Sequence, residues 1–128
     1  LISDMDSLQY VYKGQCGIAG REYFKRLGFH VHMMRYDSDE HLKKIVFLEY
    51  LRGHPEAQNE YVRLKTELAK KWFETVNGPF HYNKDKTEFI LGILDKAGWN
   101  GEEVRKKTLQ SVIEKYNIKN AKANVKAE

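Results

Sequence analysis

His30 and His32 stand two residues apart, and in an extended chain that spacing turns both imidazoles to one side. A pair so placed can chelate a divalent metal ion or meet the oxygens of a phosphate, but no third ligand is evident, and a wet, polar sheet face explains the same spacing. Arg21, Lys25 and Arg26 lie just upstream. If they occupy a neighbouring strand, alternation aims Arg21 and Lys25 at the side that carries the histidines. The result is a basic, imidazole-bearing patch suited to an anionic ligand such as a nucleotide phosphate. The competing reading is a charged face turned to solvent.

Arg52 and His54 flank Gly53 at what reads as a helix corner. Both are candidates to touch a phosphate, and both also have structural work there, since either side chain can satisfy the last carbonyls of the preceding helix. Lys65 and Lys86 can reach an anion too, although a surface lysine is usually just solvated. Cys16 sits among Gly14, Gly17 and Gly20 with no histidine close in sequence, so nothing marks it as a nucleophile. The chain has no Walker-type loop, no Gly-x-Gly-x-x-Gly, no zinc-finger spacing and no Gly-x-Ser-x-Gly elbow.

The elements that must position these side chains come strands first. Residues 8–13 are rich in β-formers and end at Gly14; residues 21–27 and 29–36 form two more extended runs separated by Gly28. Tight glycine turns between short strands predict an antiparallel meander. Helices follow. Asp37, Ser38, Asp39 and Glu40 supply an N-cap, with Glu40 three residues after Asp37 as a capping box, for a helix carrying Leu42, Ile45, Val46, Phe47, Leu48, Tyr50 and Leu51. Gly53 and Pro55 then predict a tight corner into a helix over about 56–75, with Tyr61, Leu64, Leu68 and Trp72 on one face. Asn77, Gly78 and Pro79 are expected to end it. A helix over about 85–97 presents Phe89, Ile90, Ile93 and Leu94, and Gly98 stops it before a last helix over about 101–116. The expected class is α+β, a short antiparallel or mixed sheet with the C-terminal helices packed on it.

Bulk properties narrow the function classes. A chain of 128 residues with 41% hydrophobic and 31% charged residues has enough material for one folded core and argues against wholesale disorder. No run approaches the roughly 20 apolar residues of a membrane helix, and no secretory signal opens the chain, so the expectation is a cytoplasmic protein without a membrane partner. The lone Cys16 fits a reducing compartment. The net charge of +4 is drawn largely from Arg105, Lys106, Lys107, Lys115, Lys119, Lys122 and Lys126. Such a stretch can meet RNA, but it reads more simply as a solvated helix face with a frayed end, and nucleic acid is not the expected partner. The chain begins at Leu1 rather than Met, which suggests that something precedes it in the native protein.

Three stretches line up, in order, with a known family. The segment Tyr10-Val-Tyr-Lys-Gly-Gln-Cys-Gly-Ile-Ala-Gly-Arg-Glu-Tyr-Phe24 resembles the glycine-containing strand pair of the GrpB family, Phe29-His-Val-His-Met-Met34 its histidine-bearing strand, and Phe47-Leu-Glu-Tyr-Leu-Arg-Gly-His-Pro-Glu56 its Tyr-Leu-Arg-x-His-Pro-Glu helix end. Tyr61 with Leu64 and Lys65 continues the match, and Lys86 with Phe89 and Ile90 closes it, so that residues 8 to 95 are covered. The resemblance implies a fold related to nucleotidyltransferases, with no firmly established activity. It also implies that the family's N-terminal half, which carries a Gly-Ser turn and a strand ending in a carboxylate, has no counterpart here. Nucleotidyl transfer needs carboxylates that hold a metal against phosphates, so this segment alone is not expected to catalyse it. Ala19, Phe29 and the pair Leu48 and Glu49 depart from the family pattern, and Phe29 removes one of three histidines.

The expectation is therefore a GrpB-like domain over residues 1–98, followed at 99–128 by a helix and a basic tail. Its ligand would be a nucleotide or other phosphorylated small molecule, met by Arg21, Lys25, His30, His32, Arg52, His54 and Lys65, with His30 and His32 as metal ligands if a divalent ion takes part. The rival is a non-catalytic module that uses the 42–51 helix or the basic C-terminal helix to bind a protein or to self-associate.

Overall fold

A computed structural model describes residues 1–116 of the chain. The structure comprises two compact units, Leu1–Leu42 and a second beginning at Lys43. The class is α+β: one short helix, three antiparallel strands in the order β1-β2-β3, then four helices.

The first unit opens with α1 (Ile2–Ser7), a helix not anticipated from the sequence. It also explains why the first strand is shorter than the expected 8–13. Leu8 and Tyr10 both donate backbone N–H groups to the Met5 carbonyl, at 3.1 and 3.0 Å, and Gln9 adopts a φ of 64°, so the chain is still closing the helix where extended structure was expected. β1 (Val11–Tyr12) follows, and Lys13 and Gly14 extend its contact with the next strand through hydrogen bonds to Tyr23. β2 (Arg21–Arg26) and β3 (Phe29–Met34) form a six-pair ladder from Arg21 opposite Met34 to Arg26 opposite Phe29. Only Leu27 and Gly28 connect them, with φ of 40° and 85°, the paired positive values that a two-residue hairpin matching the strand twist requires. Phe24 is fully buried, and Met5 and Leu42 are buried in the same unit.

α2 (Asp39–Gly53) begins as expected in the acidic run, but the cap is not the one the sequence suggested. Ser38, not Asp37, accepts the His41 backbone N–H at 3.3 Å, while Asp37 is taken by a two-pronged contact from Arg35 at 3.1 and 2.9 Å. A serine cap reaches the third helical N–H with less chain than an aspartate one residue earlier.

The second unit holds the remainder of α2, α3 (Pro55–Trp72), α4 (Gly78–Lys96) and α5 (Glu102–Tyr116). Val46, Leu51, Leu68, Ile93, Leu94 and Val112 are its buried aliphatic side chains. The α3–α4 corner departs from expectation: α4 starts at Gly78 rather than near 85, because Asn77 takes a left-handed φ of 59° and Pro79 sits in the first turn, where its missing N–H costs nothing. Trp72 ties the corner together, stacking on His81 at 4.5 Å and donating its indole N–H to Asp85 at 3.0 Å. Gly98, with φ of 75°, ends α4 as its sequence position suggested. No helix among the described residues is long and apolar enough to cross a membrane. The basic tail beyond Tyr116, with Lys119, Lys122 and Lys126, lies outside the described residues.

Candidate functional site

The β2–β3 register decides which side chains share a face. Arg21 faces Met34, Tyr23 faces His32 and Lys25 faces His30, so Arg21, Lys25, His30 and His32 stand together on one side of the sheet. Lys25, His30 and His32 are exposed, and Arg21 is half-buried. The opposite side carries Glu22, Phe24 and Arg26, and the burial of Phe24 marks it as the core side. Glu22, the acidic residue of these strands, is therefore on the wrong side to neutralise the cations, and it accepts a short hydrogen bond from the Tyr12 hydroxyl. That contact holds the Tyr12 phenol above its usual pKa.

Tyr23 organises the basic face, a role the sequence reading did not give it. Its hydroxyl and His30 Nδ1 share a 2.6 Å hydrogen bond, its ring lies parallel to His32 at 4.7 Å, and the Arg21 guanidinium sits 5.3 Å from its centre. The signal was present: Tyr23 has the same parity as Arg21 and Lys25. Arg21 is partly committed elsewhere, since Nε donates to the Gln15 carbonyl at 3.1 Å and Nη2 to the Cys16 carbonyl at 3.0 Å. It clamps the loop between β1 and β2, and Nη1 is the nitrogen that these bonds leave over. Lys25 also lines an open cleft of about 410 Å³ with Lys13 and Arg26.

His30 and His32 supply two imidazoles, and no group of three or more His, Cys, Asp or Glu side chains able to hold a metal occurs among the described residues. Among the described residues, the two imidazoles do not by themselves complete the donor set of a divalent-ion site.

Arg52 and His54 are drawn into the end of α2. Arg52 Nη1 pairs with Glu49 at 2.6 Å; His54 Nδ1 donates to the Tyr50 carbonyl at 2.8 Å and its ring stacks on Tyr50 at 3.8 Å. His54 thus satisfies a carbonyl at the end of the helix, the structural role open to it, whereas Arg52 meets the Glu49 carboxylate rather than a helix carbonyl; His54 also lines an open groove of about 620 Å³ with Glu49, Tyr50, Lys96 and Lys107.

Lys65 belongs to a different constellation, in the helical unit. Tyr61 stacks on Phe89 at 5.4 Å and meets Phe47 edge-on at 5.2 Å, joining α2, α3 and α4. Lys65 Nζ lies 4.9 Å from the centre of the Tyr61 ring, and Lys86 Nζ 5.0 Å from that of Tyr82. Half-buried Lys86 is held below the usual lysine pKa, first by desolvation and then by the charges of Lys65 and Lys44. Tyr61 is raised, chiefly by burial.

A sign follows for stability. Because Lys86 loses its proton more readily folded than unfolded, the unfolded chain binds more protons in the window just below pH 10.5, and stability rises with pH there. We expect urea unfolding to show the gap between wild type and Lys86→Met moving in favour of wild type by several tenths of a kcal/mol between pH 8 and about 10, a scale discounted for the water still reaching the amine. A gap independent of pH would refute the assignment.

The family described as "GrpB protein" matches residues 1–96. UPF0157 protein YqkA of Bacillus subtilis (strain 168) is 38% identical over 92 residues, which cover 69% of this chain and 26% of that protein. The crystal structure of conserved protein GrpB from Enterococcus faecalis superposes with a TM-score of 0.59 at 27% identity, covering 87% of this chain and 61% of that one. The chain thus spans about a quarter of YqkA. With three quarters of its length matched by the family pattern and its fold shared with a solved relative, the chain belongs to the GrpB family.

Proposed function

We propose that this GrpB-family segment binds the phosphate of a nucleotide or another phosphorylated small molecule on the exposed face of its sheet. The observation that carries the reading is the gathering of Arg21, Lys25, His30 and His32 around Tyr23 on a strand face with no acidic residue. Guanidinium, ammonium and imidazole groups together offer a phosphate both charge and directed N–H donors. A nucleotidyltransferase-like activity, suggested by the resemblance of the family to those enzymes, would need metal-holding carboxylates from parts of the protein outside this segment. The exposed lone Cys16 suits a reducing, cytoplasmic setting.

Isothermal titration of ATP into the chain at low ionic strength tests the site. Lys25→Ala and His32→Ala are each expected to weaken binding about ten-fold or more, the loss of one hydrogen bond to a charged group. Both spare the loop clamp that Arg21→Ala would release. Unchanged affinity in both variants would discard the sheet face as the ligand site.

A second reading, association with a protein or with another copy, draws support from Phe73, Val76 and Phe80, exposed at 84%, 86% and 67% around the α3–α4 corner. The apolar stripe of α2 is less suited to it, since Leu42, Val46 and Leu51 are already buried. Sedimentation that depends on concentration, and loses that dependence in Phe73→Ser, would favour association.

A further inference from the structure

Lys25 stands directly opposite His30 in the β2–β3 ladder and Tyr23 directly opposite His32, so the Tyr23 hydroxyl reaches His30 along a diagonal of the sheet face. The contact is a 2.6 Å hydrogen bond to His30 Nδ1, and the two rings lie within 8° of parallel with their centres 5.8 Å apart. A phenol is a good donor and a poor acceptor, whereas a bare imidazole nitrogen is an acceptor. In the neutral pair the hydroxyl therefore donates to Nδ1, and the ring proton of His30 is left on Nε2. If His30 gains a second proton, Nδ1–H donates to the phenol oxygen and Nε2 keeps its own. In both states the nitrogen turned away from Tyr23 is a donor. The tyrosine is itself held in place, since its ring lies parallel to His32 at 4.7 Å and the Arg21 guanidinium sits 5.3 Å from its centre. Without such a bond, an imidazole on an exposed strand turns about its broad ring torsion and exchanges tautomers, so its donor points one way only part of the time.

We infer that Tyr23 is the positioning residue of the sheet-face site: its hydroxyl fixes His30 as an Nε2–H donor, and one phosphate group is gripped between that N–H and the Lys25 ammonium opposite. The inference rests on the sheet-face reading under Proposed function and deepens it by naming the pair of groups that hold the phosphate and the residue that sets their geometry. Lys25 brings charge on a flexible stem, and His30 brings a directed N–H whose aim is set before the ligand arrives, which lowers the ordering cost of binding.

Two measurements on the full chain test it. The first is proton–nitrogen correlation NMR of the imidazoles in ligand-free protein at about pH 8, above the range in which histidine is usually charged. His30 is expected as a single Nε2–H tautomer, and as a mixture of tautomers in Tyr23→Phe, which keeps the ring and its contacts with His32 and Arg21. A His30 signature unmoved by Tyr23→Phe overturns the inference. The second is isothermal titration with ATP at low ionic strength. Tyr23→Phe should weaken binding about three- to ten-fold, the worth of one neutral hydrogen bond. Made in a His30→Ala background, the same substitution should cost nothing further; a loss that persists there overturns the positioning role, because the hydroxyl then acts without His30. His30→Gln, whose amide also offers an N–H, should hold affinity within a few-fold and be indifferent to Tyr23→Phe. Failure of the wild-type chain to bind ATP discards the sheet-face reading and this inference with it. Binding that is lost in Lys25→Ala but unchanged in Tyr23→Phe leaves that reading standing and overturns this inference alone.

Discussion

Phe24→Ala is expected to lower the stability of the sheet unit by about 3–5 kcal/mol, the range for deleting a fully buried aromatic ring. Phe24 has no exposed surface, and its ring packs at 5.2 Å against Tyr12 across β1 and β2. Truncation would remove that contact and open a void beneath the middle of a three-stranded sheet, with only Met5 and Leu42 as other buried hydrophobic side chains in the unit. Phe29 is the internal control. It projects on the same side of the sheet but is 66% exposed, so Phe29→Ala should change stability by less than about 0.5 kcal/mol. Equilibrium unfolding in urea, followed by tyrosine fluorescence, would separate the two. Equal losses in both variants would contradict the burial that defines the core side, and with it the assignment of the basic face to solvent.

Gly78→Ala is expected to cost about 3 kcal/mol in the helical unit, an unusually large penalty for adding one methyl group. A Cβ built on Gly78 would lie 2.0 Å from the Trp72 carbonyl oxygen and 3.2 Å from its carbon. These are backbone atoms, so no rotamer change relieves the clash. Moving the corner disturbs the Gly78 N–H bond to the Thr75 carbonyl at 2.9 Å and threatens the Trp72 stack on His81 and its bond to Asp85. Gly92 provides the contrast, because it sits within α4 with open space around its missing side chain. Gly92→Ala should stabilise the helix by up to about 1 kcal/mol. Circular dichroism during thermal unfolding checks both signs; a neutral Gly78→Ala would mean that the corner is looser than its geometry implies.

The parts of the site that were legible in the sequence are those governed by period alone. Alternation was enough to put Arg21, Lys25, His30 and His32 on one strand face, because two strands joined by a two-residue turn admit few registers. Likewise the helical spacing of Tyr61, Leu64, Leu68 and Trp72 pointed to the packed side of α3. What could not be read was anything that depends on the chain returning to itself. The Arg21 clamp requires the 13–20 loop to fold back on its own strand, and the hydroxyl bridge from Tyr23 requires His30 to stand diagonally across the ladder. Local signals also misled where one residue type has two uses. Gly78 and Pro79 read as a helix stop but open α4, and residues 8–10, rich in strand formers, are spent closing α1.

The hairpin built on Leu27 and Gly28 has a kinetic consequence. Its six paired positions are separated by only 3 to 13 residues along the chain, so the loop entropy that slows most sheets is small here. Hairpins of this kind zip within microseconds. The cationic surface would thus be among the first tertiary features to form during refolding, ahead of any docking between helices that are distant in sequence.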